Sequence, residues 1–459
     1  MPYVQHTEAE QQEMLRAIGV RSLDDLFASV PEAIRLRRRL DLPPGRSEHE
    51  VLQEIAALGR KNRPAGAMTS FLGAGIYDGV IPTMVGAMLS RSEFYTAYTP
   101  YQAEVSQGTL QTIFEFQTMI ANLTGLDLAN ASMYDGATAL AECAMLLSDA
   151  GPRKRVLVPA NVHPRYRAVL ATYASDVGLE VETLPVGRDG RIDLARLPAS
   201  CDGTAGVLVL QQPNFYGLVE DTSALRRALD GLPAEKRPEL LVACVDPVAL
   251  GVLVPPGEYG AAIAVGEGQA LGIAPSFGGP LVGFVACNKA HVRRIPGRLV
   301  GATVDVEGRR GYVLTLQTRE QHIRREKATS NICTNQALLA LAVTVHLAAL
   351  GESGFKELAH QCLVKGHRLA DAIRRQPGWA LRFDAPFFRE FVVRGPRPAR
   401  EVIAAAKRDG MLAGLDVSTA FPDACPDLDE RDLLVAVTEK RTEAEIDAFA
   451  AFLGRLGGR

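Results

Sequence analysis

Long apolar runs, paired cysteines and an excess of charge of one sign are all missing from this chain of 459 residues. The longest strongly apolar run, residues 337–350, is too short to cross a bilayer and is typical of a buried helix. Lys plus Arg numbers 50 against 53 for Asp plus Glu, so no basic surplus indicates nucleic-acid binding. We therefore expect neither a membrane nor a nucleic acid as a partner.

The cysteines exclude two further classes of protein. All 7 are dispersed and none forms a CxxC pair, so the sequence suggests neither a zinc site nor a disulfide framework, and we expect no bound metal. An odd, dispersed set is typical of reduced, buried thiols. The first residues are acidic and lack an apolar core, so no signal peptide is expected. These features predict a cytoplasmic protein.

Composition and length predict a globular protein of several domains. Apolar residues make up 47% and charged residues 22%, which is enough for a sizeable core. We expect an N-terminal helical arm at 1–62, a large α/β domain at 63–345 and a small C-terminal α/β domain at 346–459. In the arm, Ser47 and Glu50 predict a capping box that starts a helix.

Short apolar strands alternate with helical stretches in the middle of the chain, which predicts an α/β layer with a mostly parallel sheet. The expected strands are 155–159, 181–185, 205–211, 240–246, 261–266 and 281–287. The expected helices include 107–124, 136–150, 163–177 and 221–231. Ligands of such sheets bind at the carboxyl ends of the strands, so residues just after each strand are the candidates for function.

The glycine-rich residues 64–86 do not form a dinucleotide site. Gly73, Gly75 and Gly79 have the wrong spacing for GxGxxG, and no strand precedes them. We expect these glycines to allow a tight loop beside another element.

Three features follow strands in the order typical of a pyridoxal-phosphate enzyme of the aminotransferase type. His163 follows one strand, Asp246 ends another, and a glycine-rich turn at 265–280 follows the next. Such a site needs a ring face for stacking, an acid beside the pyridine nitrogen, a helix N-terminus for the phosphate and a lysine that forms an imine. The turn at 135–138 is a candidate for the phosphate. No lysine follows the glycine-rich turn until Lys289.

Three segments of this chain resemble glycine decarboxylase, the P-protein of the glycine cleavage system. They are YTPYQAEVSQG at 98–108, FQTMIANLTGLDLANAS at 116–132 and REKATSNICTNQALLA at 325–340. The resemblance implies the type I pyridoxal-phosphate-enzyme fold, like that of aspartate aminotransferase. It also implies decarboxylation of glycine and transfer of the aminomethyl group to the lipoyl arm of H-protein. Some family members are one chain with two similar halves and others are two subunits, and this chain resembles the alpha subunit of the split form.

The resemblance implies that the cofactor site of this chain is degenerate. The lysine-bearing half of the family carries a motif of the form NLHKTF followed by IPHGGGGP. Aligned through the shared Gly-Gly-Pro, this chain has Gln269 at the lysine position, while His163 and Asp246 match the positions that stack on the ring and face the pyridine nitrogen. An amide cannot form a Schiff base and cannot shuttle a proton near neutral pH. The resemblance therefore implies that pyridoxal 5'-phosphate is bound covalently on a partner beta subunit, with an alpha2beta2 assembly expected.

Enzymes of this fold build each site at a dimer interface, so two loops of this chain are candidates to enter the partner's site. One loop would contribute candidate catalytic residues and the other would donate hydrogen bonds to the partner's cofactor phosphate. The first set is Tyr95, Tyr98, Tyr101 and Gln102, and the second is Thr329 and Ser330.

Other interpretations of these residues stay open on the sequence alone. His163 would then be structural and Asp246 a helix cap, the tyrosines would pack in a core or an interface, and Thr329 and Ser330 would cap the long helix. Two other functions are also open. One is an autonomous pyridoxal-phosphate enzyme that uses Lys289 or Lys327, and the other is a non-catalytic scaffold for the beta subunit or H-protein.

Overall fold

A computed structural model of the chain describes residues 5–148, 153–332, 334–422, 425 and 428–457. These residues divide into two compact units, Met1–Arg63 and Pro64–Arg459. The α-helices of the larger unit are Thr83–Leu89, Ser92–Tyr95, Gln107–Thr124, Gly136–Ser148, Pro164–Val177, Leu197–Ser200, Thr222–Asp230, Gln321–Arg324, Ala337–Arg374, Ala399–Arg408, Val417–Ala420 and Glu443–Gly457. The six cysteines among the described residues are all buried, while Cys333 lies outside them.

The first unit contains two α-helices that begin with capping boxes. Glu8–Ile18 is capped by Thr7 with Glu10, and Glu48–Gly59 by Ser47 with Glu50. The second box confirms the helix start expected from the sequence. Most apolar side chains of this unit are exposed, and Leu15 is the one buried apolar residue among those described.

Within the described part of the larger unit, seven strands form one sheet in the order β3-β2-β4-β5-β6-β7-β1. The strands are β1 Leu128–Ala129, β2 Arg155–Pro159, β3 Glu180–Leu184, β4 Ala205–Gln211, β5 Glu239–Cys244, β6 Ile263–Glu267 and β7 Gly283–Cys287. Strands β2 to β6 pair in parallel, and β7 runs antiparallel to both of its neighbours. The mostly parallel sheet predicted from the sequence is therefore confirmed.

Both faces of the sheet are covered, as the apolar strands require. Along β4, Leu208 and Leu210 pack into a core on one face, whereas Val207 and Val209 pack into a core on the other. The helix Gly136–Ser148 contributes to the second of these cores. Because the strands are buried on both sides, polar groups are confined to the strand ends, where a site can form.

A smaller antiparallel sheet lies in the C-terminal part of the chain. Its strands are Ala380–Leu381, Glu390–Arg394, Leu415–Asp416 and Asp432–Ala436. A two-residue strand, Thr69–Ser70, pairs in parallel with Met411–Leu412, and a separate hairpin joins Leu299–Val304 to Arg310–Thr315. The expected boundary between a large and a small domain at 345/346 stays a prediction. Pro64–Arg459 forms one compact unit.

The helix Ala337–Arg374 connects the cores of the two sheets. Val343 packs into the core of the large sheet and Ile373 into that of the small one, with a break in helical geometry at Gly351 (φ 60°, ψ −175°). By length and composition alone this helix is apolar enough to cross a membrane. Its apolar side chains pack into both cores, so we interpret its apolar character as that of a core helix.

Candidate functional site

The carboxyl ends of β2, β4, β5 and β6 meet at one edge of the sheet and bring the predicted residues together. His163 lies just after β2 and is buried, and its backbone N–H donates to Gln211 Oε1 at the end of β4 (2.7 Å). The His163 Nδ1 accepts from Arg165 N (3.1 Å), and its Nε2 contacts the carbonyl of Ala74 (3.0 Å). Burial lowers the pKa of His163 to about 4. The neutral ring thus has a partner at each nitrogen.

Asp246 follows β5 and forms a two-point ion pair with Arg389. The distances are 2.6 Å from Arg389 Nε to Oδ2 and 2.7 Å from Nη2 to Oδ1, and both side chains are buried. Burial raises the pKa of the Asp246 carboxyl, and the Arg389 guanidinium opposes this shift. The guanidinium carbon also lies 4.2 Å from the centre of the Tyr77 ring. Both carboxylate oxygens predicted to face a pyridine nitrogen are therefore engaged by Arg389 instead.

Gln269 is fully buried in the loop after β6, and its amide is satisfied at both ends. Its Oε1 accepts from Tyr77 N (2.8 Å), and its Nε2 donates to the carbonyls of Tyr77 (3.1 Å) and Ile273 (2.7 Å). A side chain with one acceptor and two donors in use is a structural crosslink between this loop and residue 77. An amide group can both donate and accept hydrogen bonds, as Gln269 does here, whereas the ammonium group of a lysine can only donate.

The helix N-terminus predicted to hold a phosphate faces a carboxylate of the chain itself. Gly136 N donates to Glu267 Oε2 (3.1 Å), and Thr138 N donates to Asp135 Oδ1 (2.9 Å). The other oxygen of Glu267 accepts from the backbone of Gln269 and Val282 (3.1 Å each). Burial raises the pKa of Glu267 to about 7. A carboxyl group of the chain itself thus occupies the position that would otherwise be open to a phosphate.

The remaining space at these strand ends is too small for a cofactor. The cavity beside Asp246, Arg389 and Tyr77 measures about 10 Å³, close to the space of one water molecule. Tyr77 and Glu390 also line it, and Tyr77 Oη donates to Glu390 Oε2 (2.9 Å). With the amide, the acid and the helix N-terminus all engaged, the residues present do not fit pyridoxal phosphate.

The predicted tyrosine loop lies on the surface. Tyr95 is 70% exposed, Tyr98 75% and Tyr101 52%, so the alternative that they pack in a core is wrong. Tyr101 Oη accepts from Arg298 Nη2 (3.1 Å), and Gln102 is exposed. Available surface at these tyrosines agrees with contact to another chain, and their contribution to a partner's site stays a prediction.

Thr329 and Ser330 lie away from the pocket of Asp246. They line a separate cavity of about 660 Å³ together with Glu142 and Lys154. The long helix begins at Ala337 with Gln336 as its N-cap, so the alternative that these two residues cap it is wrong. Ser330 Oγ accepts from Ile332 N (3.1 Å) instead.

The two lysines considered for an autonomous site do not reach the pocket. Lys289 and Lys327 are both exposed, and neither lines the cavity beside Asp246. Among the residues that the structure describes, no three His, Cys, Asp or Glu side chains are grouped to hold a metal ion.

Sequence reasoning missed the residues that fill the pocket: Tyr77, Glu267, Arg389 and Glu390. The available signal was the charged pair Arg389–Glu390 between phenylalanines at 387, 388 and 391, because adjacent charges in an apolar strand are buried only when paired. The sequence pattern does not show which residues pair with Arg389 and Glu390.

Comparison with known proteins extends over the whole chain. The family model described as glycine cleavage system P-protein matches residues 1–453. The chain belongs to the glycine cleavage system P-protein family. It is 50% identical over 451 residues to a probable glycine dehydrogenase (decarboxylating) subunit 1 of Moorella thermoacetica, which covers 98% of each chain. It is 51% identical to a protein of the same name from Listeria innocua, again with 98% of each chain covered.

Solved structures confirm the fold of this P-protein family member. A crystal structure of glycine decarboxylase (P-protein) in inhibitor-bound form matches with a TM-score of 0.88 at 45% identity, covering 99% of this chain and 100% of that one. A sphingosine-1-phosphate lyase from Burkholderia pseudomallei matches with a TM-score of 0.65 at 17% identity, covering 93% and 94%. The fold is therefore the type I pyridoxal-phosphate-enzyme fold predicted from the sequence.

Proposed function

We propose that this chain is the alpha subunit of a two-subunit glycine decarboxylase, the subunit that does not carry the cofactor-binding lysine. With its partner it would decarboxylate glycine and transfer the aminomethyl group to the lipoyl arm of H-protein. The similarity to proteins named subunit 1 over 98% of both chains supports this proposal. The observation that carries it is Gln269, whose amide is bonded at both ends where the resemblance implies a lysine.

We propose that pyridoxal phosphate is held by the partner subunit. The pocket at the strand ends of this chain has about 10 Å³ of free space, and Arg389 engages Asp246. The two exposed lysines considered above do not replace the missing amine. The cofactor would supply the electron sink for decarboxylation in the complex, whereas this chain would contribute surface residues.

The contribution of this chain would come from two surfaces. The loop with Tyr95, Tyr98, Tyr101 and Gln102 would present hydroxyl and amide groups to the partner's site. Thr329 and Ser330 would donate hydrogen bonds to the phosphate of the partner's cofactor. We propose an alpha2beta2 assembly in the cytoplasm, and the reduced, buried cysteines of the described residues agree with that compartment.

The test is co-expression with a lysine-bearing partner, followed by the glycine–carbon dioxide exchange assay on each subunit alone and on the mixture. We expect exchange only when both chains are present. Full exchange by the partner alone would instead establish a scaffold, and exchange by this chain alone would establish an autonomous enzyme.

A further inference from the structure

Residues 73–80, here called the anchored segment, fill the pocket where the fold would otherwise hold a cofactor. Gln269 binds both the N–H and the carbonyl of Tyr77, at 2.8 and 3.1 Å. Glu390 accepts from Ala74 N (2.6 Å) and from Tyr77 Oη (2.9 Å). Both side chains are buried, so each bond is sheltered from competition with water.

The far end of the anchored segment is held in the same manner. Thr438 Oγ1 donates to the carbonyl of Asp78 (2.8 Å), and Val80 N donates to Glu439 Oε1 (2.5 Å). The Asp78 carboxylate pairs with Lys440 Nζ (2.7 Å). Side chains therefore hold the segment at residues 74, 77, 78 and 80.

Two glycines make this close approach possible. A Cβ at Gly73 would overlap Glu390 Oε1. At Gly75 the φ angle is +90°, and a Cβ would lie 3.0 Å from Val245 Cγ1. Glycine adopts this backbone at no steric cost, so the GAG run explains how a backbone can enter the pocket. The tight loop expected from the sequence is thus an insertion between the strand ends.

Of the three positions that the family resemblance connects with a cofactor, two contact this segment directly and the third reaches it through Arg389. His163 contacts the carbonyl of Ala74, and Gln269 binds Tyr77 directly. Asp246 acts through Arg389, which lies over the Tyr77 ring. Loss of the lysine alone would leave an empty pocket, whereas here His163 and Gln269 bind the segment and Asp246 binds the arginine that lies over its Tyr77 ring. This convergence indicates a new role for the pocket.

The chain runs directly from the anchored segment to the exposed tyrosines. Val85 is buried in the core of the large sheet, and Tyr101 is held by Arg298 at the far end. Tyr95 and Tyr98 lie between these two fixed points, and both border a small cavity beside the start of the helix at Ala337. A loop fixed at both ends loses less conformational entropy when it presents its side chains to another chain.

We infer that the former cofactor pocket now anchors residues 73–80, and that Gln269 is a positioning residue which holds Tyr95 and Tyr98 in place for the partner's active site. This inference rests on the proposed function, because it needs the tyrosines to act in the complex. It assigns Gln269 a task that neither a lysine nor an apolar residue of equal size would perform, since both N–H and carbonyl of Tyr77 must be bound.

The decisive variant is Gln269→Met, which keeps most of the side-chain volume and removes all three hydrogen bonds. Assembled complexes would be purified by size exclusion, and kcat and KM for glycine would be measured per assembled complex. We expect a threefold to tenfold loss in kcat/KM with unchanged cofactor absorbance, and faster hydrogen exchange in residues 81–98. Normal kcat and KM in assembled complexes would overturn the inference, even if the melting temperature fell.

Two further variants keep the test decisive. Leu453→Ala removes a buried side chain of the core of the small sheet and should lower the melting temperature without changing kcat or KM of assembled complexes. If Gln269→Met does not fold, Thr438→Val removes only the bond to the Asp78 carbonyl, and it should reproduce the kinetic loss in weaker form. Unchanged kinetics in Thr438→Val would then overturn the inference.

Failure of the inference and failure of the proposed function give different results. If Tyr95→Ala and Tyr98→Ala impair the complex while Gln269→Met does not, only the positioning role falls. If the tyrosine variants are normal and Gln269→Met is impaired, the positioning route through the tyrosines is wrong. If the partner alone exchanges at the full rate, the proposed function itself falls.

Discussion

Arg389 and Asp246 form a buried ion pair with two hydrogen bonds, of 2.6 and 2.7 Å, at the position that the family resemblance connects with the pyridine nitrogen of a cofactor. The two residues are 143 positions apart in the sequence. Their pairing joins the end of β5 to the start of the strand Glu390–Arg394, which belongs to the small sheet. Asp246 is thus paired with an arginine of the same chain.

Asp246→Asn should destabilise the isolated chain strongly. It leaves the Arg389 charge buried without its partner, which costs about 3–5 kcal/mol of unfolding free energy. Urea unfolding would measure this. The exposed pair Lys356–Glu352 provides a matched control, because water screens its charges and Glu352→Gln should leave the unfolding free energy essentially unchanged. Equal effects of the two substitutions would contradict a buried, structural ion pair.

Gln269→Lys should not restore cofactor binding to this chain. The cavity beside Asp246 measures about 10 Å³, and Arg389 and Tyr77, which pack against each other, line it. After incubation with pyridoxal phosphate and borohydride, the absorbance of the purified variant should match that of the unsubstituted chain. A lysine-bearing partner treated in parallel is the positive control. A stable, reducible band on the variant would show that the pocket can open.

The unfolding free energy should fall as the pH rises towards 8, and Glu390 should account for part of this. Burial raises its pKa from 4.5 to about 7, so the folded state binds a proton more tightly than the unfolded state. The protonated form is stabilised by folding, and that contribution is lost between about pH 4.5 and 7 at about 1.4 kcal/mol per pKa unit.

Glu390→Gln should flatten this pH dependence, by about 3 kcal/mol between pH 4.5 and 8. A neutral amide can still accept from Ala74 N and bond to Tyr77 Oη, so the variant should fold. Urea titrations of both proteins at pH 5, 6, 7 and 8 would measure the difference. Parallel curves for the two proteins would show that Glu390 stays ionised throughout.

Tyr98→Ala should lower the exchange activity of the assembled complex by about tenfold or more, which corresponds to about 1.4 kcal/mol in the barrier. The melting temperature of the isolated chain should not change, because the side chain is 75% exposed. Tyr98→Phe separates the contribution of the hydroxyl from that of the ring. Val364→Ala, at an exposed position of the long helix, should leave the activity unchanged. Full activity of Tyr98→Ala complexes would refute a role in the partner's site.

Thr329→Ala should weaken the binding of pyridoxal phosphate to the complex, by roughly threefold to tenfold for the loss of one hydrogen bond to a charged group. Titration of cofactor into apo-complex, followed by absorbance, would measure this. Thr329 is exposed in the isolated chain, so the substitution should leave the unfolding free energy of that chain unchanged. Thr118→Ala, on an exposed helix position, serves as the control. Unaltered cofactor affinity would exclude a phosphate contact by Thr329.

Much of the fold was predictable because its signals are local. The apolar runs predicted the strands of the large sheet from β2 to β7 to within two residues at each end, and the Ser47–Glu50 spacing predicted a helix start that the structure confirms. The family resemblance also implies that Gln269 stands at the lysine position, which stays a prediction. The strands and the helix start depend on a few neighbouring residues, so the sequence alone determined them.

Only the tertiary structure decided what replaced the cofactor contacts. Arg389 reaches Asp246 across 143 residues, and Gln269 reaches Tyr77 across 192. The spacing of Tyr95, Tyr98 and Tyr101 was equally compatible with a core and a surface, and the structure places them on the surface. Pattern periodicity reports which face of an element is apolar, whereas a buried polar contact depends on where distant elements meet. The sequence by itself therefore determined a glutamine at 269 and the strands around it, and packing determined which distant residues fill the space between the strand ends.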